Sequence, residues 1–511
     1  AVDAVREVGN PTIIATLTIL SALLPMGFVS GMMGPYMFPI PALGSLAMLF
    51  SLLAAFIFTP WFSVKLKPRI AALAKAERSE RRIQDAVGRF YRPVIRPLIY
   101  NHRLGWVFVV LIVIVFFMAV SLLYTRAVAV KMLPFDNKPE FNVVVNMPEG
   151  TALLETANVT RQLAEALAEI PEVTALQSYA GTASPFNFNG MVRHYYLRIE
   201  PWYGDIQVML RDKHDRELSS HELATAARHR LTPLAKELGA RIAVVEMPPG
   251  PPVLQTMVAE VYGPDAATRR EVAGELTRIF EEVPDLVDVD NYMAEPYERW
   301  RFDIDIEKAI RRGISVEALN RNVLMAMGGY QLGDVKGVKG LEPKYLVMQL
   351  PLAMRGDLER VGNLPVAAAD GTLVPLSELG EFVREPEGPI IYHKDLKPME
   401  YVVGEMEGRL GAPIYGMLAV EEKLQDYVTP DGVVMSGTLT GPPGDDLNSG
   451  FEWSGEWVVT YETFRDMGIA FAAALVLIYM LLVLEFGNFI MPVIVMAPIP
   501  LTLIGIIPGH W

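Results

Sequence analysis

Two apolar blocks, one at each end of the chain, set the limits on what it can fold into. Residues from about Pro11 to Met33 carry no charge and are rich in Ile, Leu and Ala, and a second uncharged stretch runs from about Tyr36 to Val64. A third, Trp106 to Tyr124, is almost continuous Val, Ile, Phe and Leu; a fourth covers Met467 to Leu484, and a fifth opens near Phe489 and reaches Trp511. A helix needs roughly 20 apolar residues to cross the hydrocarbon core of a bilayer, and the first four stretches meet or nearly meet that length. Soluble helices this long seldom lack a polar face, so membrane spans are the expected reading over buried core helices. The overall hydrophobic fraction of 51% hides this segregation.

Charge sets the orientation. Between the second and third spans, Lys65 to Arg103 holds eleven Lys and Arg against three Asp and Glu. Such an excess in a short loop marks the cytoplasmic side. Within it Ile70 to Phe90 has helical spacing, with Ile70, Leu73, Ile83 and Val87 as apolar positions. This predicts an amphipathic helix along the inner leaflet, against the plainer alternative of a solvated basic linker.

The third span then exits to the far side, and roughly 340 residues follow before the fourth, far more than a connecting loop needs. This insert reads as α/β. Phe141 to Met147 is a predicted strand, followed by a helix capped by Thr151 and running to about Ile170, with Val159, Leu163 and Leu167 on one face. Val173 to Tyr179, Val192 to Ile199 and Ile206 to Leu210 read as strands. Ser219 or Ser220 caps a helix reaching Leu238, and Arg241 to Val245 is a further strand. With one extra strand, this is the split βαβ pattern. A second such unit begins with a strand at Val253 to Tyr262, a helix from Ala266 to Glu282 and a strand near Val287 to Asp290. It resumes with a strand at Tyr401 to Glu407, a helix from Ile414 to Gln425 and a strand from Gly432 to Ser436. Between its halves lies an inserted segment, from about Glu295 to Asp395. It has short helices from Ile306 and from Val316 to Met327, and short strands such as Tyr345 to Gln349. Gly340, Gly356, Gly371 and Pro375 punctuate it as turn residues.

Several stretches together resemble the resistance-nodulation-division (RND) exporter family over essentially the full length. Leu24-Pro25-Met26-Gly27 with Ser30-Gly31-Met32-Met33-Gly34 is similar to that family's turn between helices five and six. Ser51 and Thr59-Pro60 look like its sixth helix. Leu133-Pro134 and Val145-Asn146-Met147-Pro148-Glu149-Gly150-Thr151 resemble the entry to its second periplasmic loop. Asp303-Ile304-Asp305-Ile306-Glu307-Lys308-Ala309, Gly313-Ile314-Ser315, Gly328-Gly329-Tyr330 and Ala369-Asp370-Gly371-Thr372-Leu373-Val374-Pro375 look like its docking subdomain. The resemblance implies a polytopic α-helical membrane protein with a large periplasmic α+β region of split βαβ porter subdomains plus a docking subdomain.

On that reading, residues 1–64 are transmembrane helices five and six, and 65–105 a cytoplasmic basic amphipathic segment. Residues 106–124 are helix seven and 138–250 a first porter subdomain. Residues 251–294 and 396–454 make a second porter subdomain, with the docking subdomain at 295–395. Helix eight is 466–485, and 489–511 begin helix nine. The chain would be a fragment cut before helix five and within helix nine, since it opens Ala-Val-Asp and stops in an apolar run. The resemblance also implies a multi-pass protein of the bacterial inner membrane. It would work as a homotrimer with a periplasmic adaptor and an outer-membrane channel, and exchange protons for small-molecule substrates.

The chemistry is sparse. No ionisable residue falls mid-span; Asp466 and Glu485 flank the fourth span and are expected at its interfaces. In the family the proton relay lies in helices four and ten, outside this sequence, so no relay residue is assigned and the fragment alone is not expected to pump. Ser184-Pro185-Phe186-Asn187-Phe188-Asn189-Gly190 resembles the switch loop of the multidrug branch, and Tyr179 and Tyr196 fall where that branch has pocket aromatics. Phe186, Phe188, Tyr179 and Tyr196 are thus candidate substrate contacts for hydrophobic or amphiphilic compounds, against the plain reading of a loop packed on its own sheet. A rival reading takes Met147, Met191 and Met257, with Met247 as another candidate. The family's metal branch holds soft monovalent ions on methionines, and thioethers suit Cu(I) or Ag(I); Met also fills core gaps without any function. The absence of cysteine excludes disulfides and thiol chemistry, and the net charge of −14 disfavours nucleic acid. No nucleophile–base or ligand-spaced histidine pair appears, so neither an enzyme nor a cofactor is expected. A membrane assembly component without transport, on a related fold, is the other class considered.

Overall fold

The structure, a computed structural model, describes residues 2–66, 70–132, 136–247, 250, 253–336, 343–388 and 390–511. The Leu133-Pro134 match and the turn at Gly340 lie outside the described residues.

Five segments are long and apolar enough to cross a membrane: Gly9–Phe28, Gly34–Phe62, His102–Tyr124, Glu456–Phe486 and Ile490–His510. The first comprises helix α1 (Val2–Leu23) and a 3-10 turn at Leu24–Phe28. A turn through Gly31, at φ +65°, leads to α2 (Gly34–Met37) and α3 (Pro39–Leu66). The basic helix α4 (Ile70–Tyr100) runs ten residues past the Phe90 end expected from its apolar spacing, through Pro93 and Pro97. Asn101 then breaks the chain direction. Its side chain accepts the backbone N–H groups of Arg103 and Leu104, capping α5 (His102–Tyr124).

The extramembrane part begins with a four-stranded module. Strand β1 (Glu140–Asn146) is followed by α6 (Leu153–Ala168), β2 (Val173–Ala180), α7 (Phe188–Val192), β3 (Tyr203–Leu210), α8 (Ser220–Glu237) and β4 (Arg241–Val245). The strand order is β2-β3-β1-β4, with β1 antiparallel to both neighbours. Val159, Leu163 and Leu167 of α6 are buried, and so are Phe141 and Val143–Val145 of β1. Each such side chain contributes about 1.5–3 kcal/mol on leaving water. Ser219 caps α8 in a reciprocal capping box with Glu222. Thr151 does not cap α6: its hydroxyl donates back to the Pro148 carbonyl.

The expected strand from Val192 to Ile199 is absent; the end of α7 and a 3-10 turn at Tyr195–Leu197 take its place. The cause is charge. Arg193 and Arg198 both turn inward to buried partners, which the alternation of a surface strand would not allow.

The second module repeats the plan. Strand β5 (Met257–Tyr262), α9 (Ala266–Glu281) and β6 (Leu286–Asn291) come first. A separate compact unit of residues 294–390, with 148–152, follows. It contains β7 (Glu298–Ile304), α10 (Ile306–Arg311), α11 (Val316–Met327), the hairpin of β8 (Tyr330–Asp334) and β9 (Tyr345–Met348), α12 (Leu352–Arg355), α13 (Leu358–Gly362), β10 (Pro365–Ala367), β11 (Leu373–Pro375) and β12 (Gly380–Pro386). Strands β12 and β7 pair over a core that includes Ala309, Leu319, Leu376 and Leu379.

The second module then resumes with β13 (Tyr392–Lys394), β14 (Lys397–Met406), α14 (Pro413–Leu424), β15 (Gly437–Thr438) and β16 (Gly450–Ser454). Its ladder runs β13-β14-β5-β16-β15, with β6 also on β14. The strand expected at Gly432–Ser436 is only a single bridge, Val428 to Val434, and β16 closes the sheet instead.

Helix α15 (Glu456–Phe486) returns to the membrane and is followed by α16 (Ile490–Met496) and α17 (Leu503–His510). It lies antiparallel to α1. Ser30 donates its backbone N–H to Asp466 at 2.8 Å near one end, and Asn10 donates to Glu485 at 2.9 Å near the other. Both acids thus tie this helix to the first span.

Candidate functional site

The two modules meet along a seam of buried charge. Arg228, on α8 of the first module, forks onto Asp288 of β6 with Nε and Nη2 at 3.0 and 2.9 Å. Its Nη1 reaches Glu407 at 2.8 Å, and Nη2 also donates to the Val244 carbonyl at 2.9 Å. Asp288 sits at φ +52°, a left-handed geometry that Asp tolerates better than most residues, and also accepts the Val244 N–H at 3.0 Å. Burial opposes charge on Arg228, but Asp288 and Glu407 outweigh it and hold the guanidinium above its ordinary range.

Three further ties cross the seam. Arg193 meets Glu405 at 2.5 Å, and Glu405 also accepts the Thr256 hydroxyl at 2.5 Å. Asn146, at the end of β1, donates to Asp290 at 3.0 Å, and Arg241 pairs with the other oxygen of Asp290 at 2.9 Å. Arg198 donates to Asn146 at 2.7 Å and stacks 4.1 Å over the Tyr203 ring. Burial pushes the Asp290 carboxyl up, with Arg241 pulling against it.

A charged seam has a property that an apolar core lacks. Its groups regain hydration when they part, so water can replace each tie, whereas separating apolar surfaces has no such compensation. The two module cores are apolar, and the junction between them is held by ion pairs.

The predicted contact residues fall in different places. Phe186 is 72% exposed at the tip of its loop and lies 6.4 Å, centroid to centroid, from exposed Tyr196, which in turn abuts His194. Phe188 is half-buried at the start of α7. Tyr179 lines another feature, a groove of about 400 Å³ between α6 and β2, and its hydroxyl bonds Gln177. The loop is anchored from below by residues the sequence reading passed over. Buried Asn142 donates to Asp205 at 3.2 Å, and Asn187 donates to the Asn142 oxygen at 3.5 Å and accepts the Gly190 N–H at 2.7 Å. Burial raises the Asp205 carboxyl, against hydrogen bonds from Ser184 and Asn142. The signal was present in the sequence as Asn and Asp at strand positions where apolar residues are usual.

The methionines also separate. Met147 is buried, Met191 is 43% exposed on α7, and Met247 is half-buried. Met257 is 1% exposed in the second module's core. There its sulfur faces that of Met406 across Gly416: a Cβ on Gly416 would stand 2.6 Å from the Met406 sulfur and 3.0 Å from that of Met257. Met417 and Met435 are buried in the same core. Three of the four predicted methionines nonetheless lie within two positions of seam residues in sequence. Met147 follows Asn146, Met191 precedes Arg193 by two positions, and Met257 follows Thr256. Among the described residues no group of three His, Asp or Glu side chains could hold a metal ion.

Candidate spans bracketing two modules of one plan define a class: a membrane protein whose extramembrane α+β region is built from paired split βαβ units. The chain belongs to the AcrB/AcrD/AcrF family, whose model matches residues 1–511, a family of RND inner-membrane transporters. It is similar to the cobalt-zinc-cadmium resistance protein CzcA of Cupriavidus metallidurans, 22% identical over 99% of this chain and 45% of that protein. It is also similar to the cation efflux system protein CusA of Escherichia coli, 20% identical over 100% of this chain and 45% of that one. The swarming motility protein SwrC of Bacillus subtilis is 20% identical over 99% of this chain and 44% of its own length. A crystal structure described as a heavy metal efflux pump superposes with a TM-score of 0.70, at 20% identity, over 99% of this chain and 47% of that one. The chain thus spans somewhat under half the length of the relatives it matches.

Proposed function

We propose that the whole protein exports metal cations, as the inner-membrane subunit of a proton-driven tripartite pump, and that this chain supplies part of its substrate path. The observation that carries this reading is the end-to-end likeness to proteins named for cation efflux and metal resistance. It favours the metal branch over the multidrug branch to which the Phe-x-Phe loop pointed. The candidate ligands are Met147, Met191 and Met257. Met147 and Met191 adjoin the seam in sequence, whereas Met257 lies in the second module's core beside Met406, so a common site would need that core to move as well. Thioether sulfur suits Cu(I) or Ag(I) as cargo. The homotrimer, the adaptor and the outer-membrane channel belong to the same proposal.

The test is growth of a metal-sensitive host carrying the full-length protein, challenged separately with Cu(I), Ag(I), Zn(II) and Co(II), and with bulky apolar compounds. Protection against Cu(I) or Ag(I), lost in the Met147→Ile/Met191→Ile/Met257→Ile variant, supports the reading. Protection against apolar compounds alone, lost on Phe186→Ala/Phe188→Ala, would overturn it in favour of the second reading, a multidrug exporter. That second reading has one structural support, the exposed Phe186–Tyr196 ring pair.

A further inference from the structure

The geometry points to an anionic phospholipid headgroup site on α4, formed by Arg89, Arg92 and Arg96 with Tyr100. These four side chains, with Asp85 and Gly88, line a concavity of about 910 Å³. Arg89, Arg92 and Arg96 stand at i, i+3 and i+7, which places them on one face of a helix. None of them pairs with a described carboxylate; Arg89 reaches only the backbone carbonyl of Asp85, at 3.4 Å. Arg96 lies 5.8 Å over the Tyr100 ring. Three guanidinium groups within two turns, with Asp85 the one carboxylate among the described lining residues, leave a net positive charge that an anion seated among them would offset.

The position selects the anion. α4 passes directly into the span α5 through the Asn101 cap, and Gly105 lets the two helices meet: a Cβ there would stand 2.7 Å from the Leu98 carbonyl. Tyr100 is two residues from the start of the span, and Arg96 lies about 6 Å further back at 1.5 Å per helical residue. A helix lying along the leaflet keeps all four residues near the headgroups, where Tyr is favoured. Ile83, Val87 and Val94 repeat at helical spacing on the side away from the arginines and are exposed, as a face for the acyl boundary requires. Arginine side chains are long enough to reach phosphates at the helix flank while their stems stay against apolar surface. The planar fork suits phosphate, which it can hold through two parallel N–H bonds. The occupant is therefore an anionic lipid of the cytoplasmic leaflet, with a diester phosphate and no compensating ammonium. This inference rests on the fold and not on the identity of the cargo.

The test is native mass spectrometry of the full chain in detergent, titrated with phosphatidylglycerol and with phosphatidylcholine of the same acyl chains. Wild type should retain phosphatidylglycerol in preference. Arg89→Gln/Arg92→Gln/Arg96→Gln should lower its retention by roughly tenfold or more and leave phosphatidylcholine unchanged. The matching Lys variant keeps the charge, folds with the same helix chemistry and should lose only part of the preference. Neutralising Arg311 and Arg321, exposed arginines of the inserted unit, should change nothing. Equal retention of the two lipids by wild type, or undiminished phosphatidylglycerol binding by the Gln variant, would overturn the site. An equal loss from the Arg311/Arg321 control would reduce it to bulk charge. Displacement of the lipid by an equal concentration of inorganic phosphate would show a free-phosphate site instead.

Discussion

The two split βαβ modules share one ladder and use one position of it differently. In the first the order is β2-β3-β1-β4; in the second the corresponding strands run β6-β14-β5-β16. Between the second and third strands of the first module lies the short segment from Gly181 to Trp202, which carries α7, the exposed Phe186 and the inward Arg193 and Arg198. At the same point the second module accommodates residues 294–390, a compact unit of its own. The ladder is indifferent to what leaves it there, because each edge strand takes its register from its neighbour and not from the connection. The cores differ too. The second module packs Met257, Met406, Met417 and Met435 with Phe451 and Trp453, whereas Phe141, Val143 and Val145 of β1 and Leu163 and Leu167 of α6 are buried in the first.

The comparison can be broken at the seam first. Arg228→Ala would leave Asp288 and Glu407 buried without their partner and should cost about 3–5 kcal/mol, read as a fall in the unfolding midpoint of the solubilised chain. Replacing all three residues by Leu should recover that stability, and, if the seam must open, should abolish any export by the full-length protein. Next comes the second module alone. Gly416→Ala drives a methyl into the Met406 and Met257 sulfurs and should cost about 1–3 kcal/mol, with Met406→Ala as a rescuing second change. In the first module Ser219→Ala removes half of a capping box, for about 1 kcal/mol, and Asp265→Ala at the start of α9 should match it.

Asp205 sharpens the contrast through pH. Its carboxyl is raised in the folded state, so its contribution to stability is greatest below the ordinary carboxylate range and is lost as pH rises through the raised value. Asp205→Asn should therefore gain on wild type as pH rises above the ordinary carboxylate range in paired melting curves. A difference that shrinks as pH rises would reverse the assigned direction. Smallest of all, Phe186→Ala should leave stability within about 0.5 kcal/mol, as expected for an exposed ring.

The membrane helices and most of the module elements were legible in the sequence because each rests on local periodicity. The spans, α6, α8, α9 and the capping box at Ser219 all announce themselves within a few residues. Thr151 misled because a Thr before a helix can bond backward as readily as forward. The false strand at Val192 to Ile199 and the unseen β16 share a cause: both depend on partners distant in the chain. Arg193 finds Glu405 across 212 positions, and Arg228 finds Glu407 across 179. No local pattern encodes such pairs, so the charged seam between the two modules could not be read from the sequence.

The break in the ladder after β2 has a practical meaning. A chain that already houses 97 residues at one of two equivalent exits offers the other as a site for grafted cargo. A fluorescent or epitope-bearing domain spliced between Thr182 and Ala183, upstream of the Asn187 anchor, would leave every rung of the first sheet intact and report from the surface of that sheet's edge.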